Sequence, residues 1–389
     1  LTPMSYVSAA YGLIFGVRDV LFLFKLSLLL EQYVFLFGLY VLCRLVFRLR
    51  STVFFVCLPA IFSLILHAGI GLNFRIYYMF PWVAYWLLLF FQKKRSEFFW
   101  LACITTLIWW MGNGSYFICL WFFIFTVFFL VLAVRNWRGW REYFTLSRIS
   151  VLLFAVFILL FVIDTVYLKR ALDFTAISRA LRDSQTGKNS LSVFLTYGGI
   201  PEIKDLLQAF IFGRPTHLER LGVGVDNNIY IGLLPVLFFI WAVFRARGVV
   251  FYSFLSVALA LVFLSFGGFF ARLVYYFPFM SFYRHIGLVS SFAKIPILLA
   301  AGFGWENFWK AERKTKIALS LTIGALILSA LYFFHLPVKG ENINEFYFRL
   351  CVYALAAVIV FFLIYLRKRM QARIDHDSFL KTIEFVLLL

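Results

Sequence analysis

The sequence predicts an all-α, polytopic membrane protein with about 11 membrane-spanning helices in its 389 residues and one large loop on the extracytoplasmic side. Three observations predict this class. The chain is 63% hydrophobic and only 14% charged, with a mean hydropathy of +0.92, whereas a soluble domain is closer to half apolar and a quarter charged. Its apolar residues gather into successive runs, several of them near the roughly 20 residues that a spanning helix needs. Its basic residues collect in short segments between those runs, on every second connection.

The runs lie near residues 21–43, 53–70, 76–91, 98–112, 115–134, 149–168, 229–244, 249–266, 286–305, 317–335 and 347–366. Between them, "RLVFRLR" (44–50), "QKKRSE" (92–97), "RNWRGWRE" (135–142), "RARG" (245–248), "KAERKTK" (310–316) and "RKRMQAR" (367–373) hold about half of the 37 Lys and Arg. All six fall on one side of the membrane if the runs are counted correctly, and the positive-inside rule makes that side cytoplasmic. The net charge of +19 is therefore a topology signal, and nucleic acid is not an expected partner. The five cysteines lie in or at the ends of apolar runs without close pairing, which disfavours both a disulfide framework and a metal site. The aromatic share of 21% suits lipid-facing surface and carries no functional weight.

The opposite side receives short turns and one long loop, about 169–228, with an expected helix at "TAISRALRDS" (175–184). An amphipathic stretch follows, in which Ile203, Leu206, Leu207, Phe210 and Ile211 share a face suited to the outer interface. No internal repeat is visible. Residues 367–389 read as a cytoplasmic tail ending in "SFLKTIEFVLLL", too short to span. The whole chain is expected to form a single transmembrane domain, 1–389.

Polar groups at depth are the candidates for chemistry. Arg284 and His285 stand at the outer mouth of the run 286–305, and Lys294 lies roughly 14 Å deeper if the intervening backbone is helical. Gly287, Ser290, Ser291 and Lys294 then share one helical face. Pro296 cannot donate an N–H and frees the carbonyl near Phe292. Fixed positive charge beside an apolar groove suits a phosphate-bearing lipid; the plainer alternative is that Lys294 pairs with a buried acid or snorkels along its stem. Among outer-side acids, Asp164 ends the sixth run, with Lys169 or Arg170 in reach as partners, and Asp226 precedes "NNIYIG" as a natural helix cap. Glu31 and Lys25, six positions apart, are both expected to face the bundle interior.

The stretches "NNIYIGLLPVLFFIWAVF" (227–244) and "LSFGGFFARLVYYFPFMSFYRHIGLVSSFAKIPILLAAGFGWENF" (264–308), with "LTPMSYVSAAYGLIF" (1–15) and "MFPWVAYWLLLF" (79–90) in matching order, resemble the YfhO-like family of bacterial membrane proteins. The resemblance covers most of the chain through loose motifs that include no catalytic signature. It implies a GT-C-like glycosyltransferase of the bacterial cytoplasmic membrane. Such an enzyme transfers a sugar from a polyprenyl-phosphate-linked donor to a glycan or lipid acceptor outside the cytoplasm. On that reading the basic group Arg284, His285 and Lys294 becomes the candidate donor-phosphate site, and Glu202, Asp205, Arg214 and His217 of the long loop are candidates for acceptor contacts. GT-C enzymes usually carry their principal acid just after the first helix. The chain begins with Leu, beyond the matching point, so that acid is expected upstream with an added helix, 12 or more in all, and Asp164 and Asp226 are the weaker candidates within the chain. Some GT-C enzymes use a divalent metal, but no outer carboxylate cluster suggests a metal site and no cofactor is identified. Membrane lipids and other membrane proteins are the remaining expected partners. An O-antigen polymerase or ligase, with its Arg- and His-rich outer loop, is the rival enzymatic reading; a lipid-handling, transport or scaffold subunit is the non-catalytic one.

Overall fold

The structure, a computed structural model, describes residues 3–62, 78–110, 118–135, 147–180, 190–196, 211, 231–278, 280–282, 286, 289–312 and 316. The chain divides into two compact units, Leu1–Ser320 and Leu321–Leu389, and all described residues belong to the first. Among them the secondary structure is entirely helical, with no strand.

Helix α1 (Pro3–Phe15) packs on α2 (Val20–Val46). The expected first run had no partner helix before it; α1 is an additional apolar element. The turn between them uses Gly16 at φ +69°, and Asp19 caps α2 by accepting from the N–H groups of Leu21 (2.9 Å) and Phe22 (3.1 Å). At 27 residues, α2 extends about 40 Å. A three-residue turn, 47–49, leads to α3 (Arg50–Phe62). The fourth and fifth helices, α4 (Phe80–Lys93) and α5 (Ser96–Trp110), form a hairpin closed by Lys94 in the left-handed conformation, φ 53°. The next two are α6 (Ile118–Arg135) and α7 (Arg148–Ala180), followed by the short α8 (Leu191–Thr196).

Helix α7 carries the sixth run without interruption to Ala180, so residues 169–180 continue that helix. Helix α9 (Leu233–Arg245) starts after Gly232, φ +89°, which is its N-cap. The expected cap at Asp226 is thus not the cap of this helix, which begins four residues later than the run 229–244 suggested. Helix α10 (Val249–Phe266) matches its expected run, bracketed by Gly248 and Gly267 at positive φ. It is followed by α11 (Gly268–Tyr275), a 3₁₀ turn at Met280–Phe282, the single turn α12 (Val289–Phe292) and α13 (Lys294–Lys310).

Helix α13 is the axis of the bundle. It packs along α9, α3, α10 and α12, and from Lys294 to Glu306 every residue except Phe303 is buried. Two glycines permit this crowding. A methyl on Gly304 would run into the carbonyl oxygen of Phe238 on α9, and one on Gly302 would lie 2.5 Å from the Phe47 ring and 2.8 Å from Val56. The "AGFG" sequence is therefore a helix-packing device. A third close approach joins α2 to α4: the Trp82 indole donates to the Val34 carbonyl at 2.9 Å, and only the absence of a side chain on Gly38 leaves room for it.

Among the described residues, α2 and α10 are long and apolar enough to cross a membrane, and six further helices carry shorter apolar stretches of 10–17 residues. Much of the apolar surface is not covered by protein. On α7, Leu152 and Leu159 are 65% and 60% exposed, and Ile149, Val151, Phe154, Phe161, Val162 and Val166 are exposed with them. Hydroxyls inside the helices turn back to their own backbone, as Thr106 does to Ala102, Thr126 to Phe122 and Ser253 to Val249 at 2.7–2.9 Å.

Candidate functional site

The backbone between α10 and α13 sets the site. Pro296 has no N–H for the Phe292 carbonyl, so the helical hydrogen bonding is interrupted between α12 and α13, while Ala293 keeps the right-handed helical conformation at φ −68° and ψ −18°. Within the run 286–305 the described backbone is therefore helical from Val289 onward, with one interrupted hydrogen bond at the proline. Pro296 occupies the first turn of α13, where a missing N–H is harmless; of the expected stripe, Gly287 and the side chains of Ser290 and Ser291 lie outside the described residues. The short elements before the break are held down by aromatic and aliphatic packing. Met280, Ile286, Val289 and Phe292 are buried, Phe277 meets Phe122 and Phe123 of α6 at 5.6 and 5.4 Å, and Phe292 meets Trp121 edge-on at 5.6 Å. Trp121 in turn lies 4.1 Å from Trp109 of α5.

Lys294 has 0% exposure, and among the described residues its Nζ has no hydrogen-bond partner. Burial without a partner is costly for an amine, and more so for its charged form. An anion bound beside it would supply the missing partner.

Of the other expected site residues, Arg284 and His285 lie outside the described residues, as do Glu202, Asp205, Arg214, His217 and Asp226. Asp164 lies within α7, but its side chain is outside the description. Glu31 is buried on the α2 face that also carries Ser27, Phe35, Gly38 and Leu42. Lys25 is exposed, contrary to the expectation that it faces inward. Among the described residues no three His, Cys, Asp or Glu side chains come together as metal ligands, and Cys43, Cys57 and Cys103 are free thiols.

Two acidic residues that the sequence did not single out have defined work at the basic ends of the helices. Glu306 accepts from the backbone N–H groups of Arg48 (2.6 Å) and Leu49 (2.9 Å), just ahead of α3, and pairs with Lys310 at 3.3 Å. Beside it Trp305 stacks on Phe55 at 4.6 Å. Glu97 is held by Arg95 at 3.2 Å and by the Ser147 hydroxyl at 2.7 Å, while Ser96 and Ser150 share a 2.5 Å bond, together tying α5 to α7. Burial pushes the Glu97 carboxyl up, but the hydrogen bonds from Arg95, Ser147 and its own backbone outweigh burial and hold it below the ordinary carboxylate range. The Glu306 clamp ties the segment 44–50 to Lys310, and the Glu97 clamp ties the segment 92–97 to the start of α7.

Comparison with protein-family models, with curated proteins and with solved structures finds no match.

Proposed function

We propose that the chain is a multi-pass protein of the bacterial cytoplasmic membrane and a GT-C-like glycosyltransferase of the YfhO-like kind. It moves a sugar from a polyprenyl-phosphate donor to a glycan, lipid or cell-envelope acceptor on the extracytoplasmic side. The observation that carries this reading is Lys294, a fully buried amine whose Nζ has no hydrogen-bond partner among the described residues, at the end of the central helix away from the basic loops. The exposed apolar helices support the membrane setting. Apolar surface on the scale of α7 exceeds what a soluble monomer leaves in water.

A phosphate headed by a sugar and tailed by a polyprenyl chain meets both needs of this site. Its oxygens meet the ammonium and the helix end, and its tail lies against apolar helix surface. In the reaction the acceptor hydroxyl attacks the anomeric carbon, the bond from that carbon to the phosphate oxygen breaks, and the phosphate leaves with the electron pair. The hydroxyl proton passes to a carboxylate base within hydrogen-bond reach, for which Asp164 and Asp226 are the candidates within the chain. Lys294 stabilises the charge that develops on the leaving phosphate.

The test is transfer from a labelled polyprenyl-phosphate sugar in proteoliposomes. Wild-type protein should transfer the sugar, and Lys294→Met should lose at least tenfold in donor affinity. Donor binding that depends on Lys294 without transfer would move the assignment to a lipid-handling protein; no binding by wild type would overturn the reading.

A further inference from the structure

Helix α11 carries a face that nothing among the described residues covers. After α10 ends at Phe266, Gly267 and Gly268 take φ of +77° and +63°, a conformation that side-chain-bearing residues resist, and redirect the chain into an eight-residue helix. That is about 12 Å of helix, too short to cross a bilayer. Its two sides differ sharply. Ala271 and Val274 are buried, and Tyr275 packs on Phe194 of α8 with ring centres 5.4 Å apart. On the opposite side Phe269 is 75%, Leu273 55% and Tyr276 75% exposed, at i, i+4 and i+7, with Arg272 exposed among them.

We infer that α11 lies in the outer headgroup–acyl boundary of the bilayer, with Phe269, Leu273 and Tyr276 immersed and Arg272 at the level of the lipid phosphates. This rests on the membrane reading proposed above. The occupant is lipid, rather than a protein, for three reasons. The uncovered face continues that of α10, whose Leu259 and Phe263 are also exposed, and Phe263 touches Phe270 with ring centres 6.1 Å apart, so one apolar strip runs from the spanning helix onto α11. A large apolar face with an aromatic residue at its end suits the interface, where rings prefer to sit. Arg272 can lay its stem on the apolar strip and put its guanidinium on phosphate.

The experiment is photo-crosslinking of the full chain in proteoliposomes, with benzoylphenylalanine replacing Phe269, Leu273 or Tyr276 in turn, Phe263 as the reference on α10, and Ala271 as the buried control. Lipid adducts are read by mass spectrometry. The expected result is phospholipid adducts at 269, 273 and 276 comparable with those at 263, none at 271, and a loss of anionic-lipid adducts when Arg272→Glu is added. Adducts at 263 without adducts at 269, 273 and 276, or crosslinks from these positions to a second protein chain, would overturn the inference and leave the membrane reading standing. No lipid adduct at 263 either would overturn both.

Discussion

Lys294 shows what a single residue can disclose before and after folding. A lysine inside an apolar run is visible in sequence, and so is Pro296 two positions on; together they point to a broken, charged place in the bundle. Sequence could not show that the amine would be wholly buried without a partner among the described residues, because that depends on the segments folded over it. A buried amine kept at such a cost implies a trade between stability and binding. Lys294→Met should raise stability by about 1–3 kcal/mol, because an apolar side chain of similar length removes a buried polar group without a hydrogen-bond partner, while removing affinity for a phosphate lipid; unfolding in mixed micelles measures the first effect. Glu306 is the converse case. Its partners are backbone N–H groups 257 and 258 positions away, so neither residue type nor spacing revealed its role. Glu97 gives a pH dependence with a definite sign. Its carboxyl is held below the ordinary range in the folded protein, so its contribution is present above the unfolded value of about 4.3 and is lost as pH falls through the folded value. Glu97→Gln should flatten that acid limb of the stability profile, with little effect at pH 7 beyond about 1 kcal/mol for the weakened hydrogen bonds.

Whole elements were legible wherever a run was long, apolar and bounded by glycine or basic residues. Helix α10 coincides with its expected run because Gly248 and Gly267 terminate it at both ends. Helix α9 begins late because Gly232, not a polar cap, starts it. Helices α1 and α11 were not legible: α11 has only eight residues, and in α1 Ser5, Ser8 and Gly12 interrupt the apolar run. The "AGFG" sequence, which carries part of the family resemblance, has a clear structural task. Gly304→Ala should destabilise the protein by about 2–3 kcal/mol or more, since the obstacle is the Phe238 backbone, which cannot turn aside. Gly302→Ala should cost less, because the Phe47 and Val56 side chains it meets can adjust. Comparing the two variants by thermal unfolding distinguishes a packing role for this motif from a binding role, which would spare stability.

On the scale of the molecule, two tertiary clamps tie helix ends together. Glu306 joins two of the basic segments, 44–50 and 310–316, and Glu97 ties a third, 92–97, to the start of α7. Apolar side chains along α2 and α7, and Leu259 and Phe263 of α10, are exposed. The interior is ordered around α13, so the helix that carries the cation is also the best-fixed helix of the bundle. Function was less legible than architecture because most of the expected contacts, Arg284, His285 and the loop acids among them, lie outside the described residues, and the loose motifs of the resemblance serve packing where they can be seen. The most direct measurement is the affinity of the purified protein in nanodiscs for a polyprenyl phosphate, by native mass spectrometry, for wild type, Lys294→Arg and Lys294→Met. Wild-type protein should bind, Lys294→Arg should retain binding if the wider guanidinium can be seated, and Lys294→Met should lose it; equal binding by wild type and Lys294→Met would contradict the assignment of this buried lysine to a lipid phosphate.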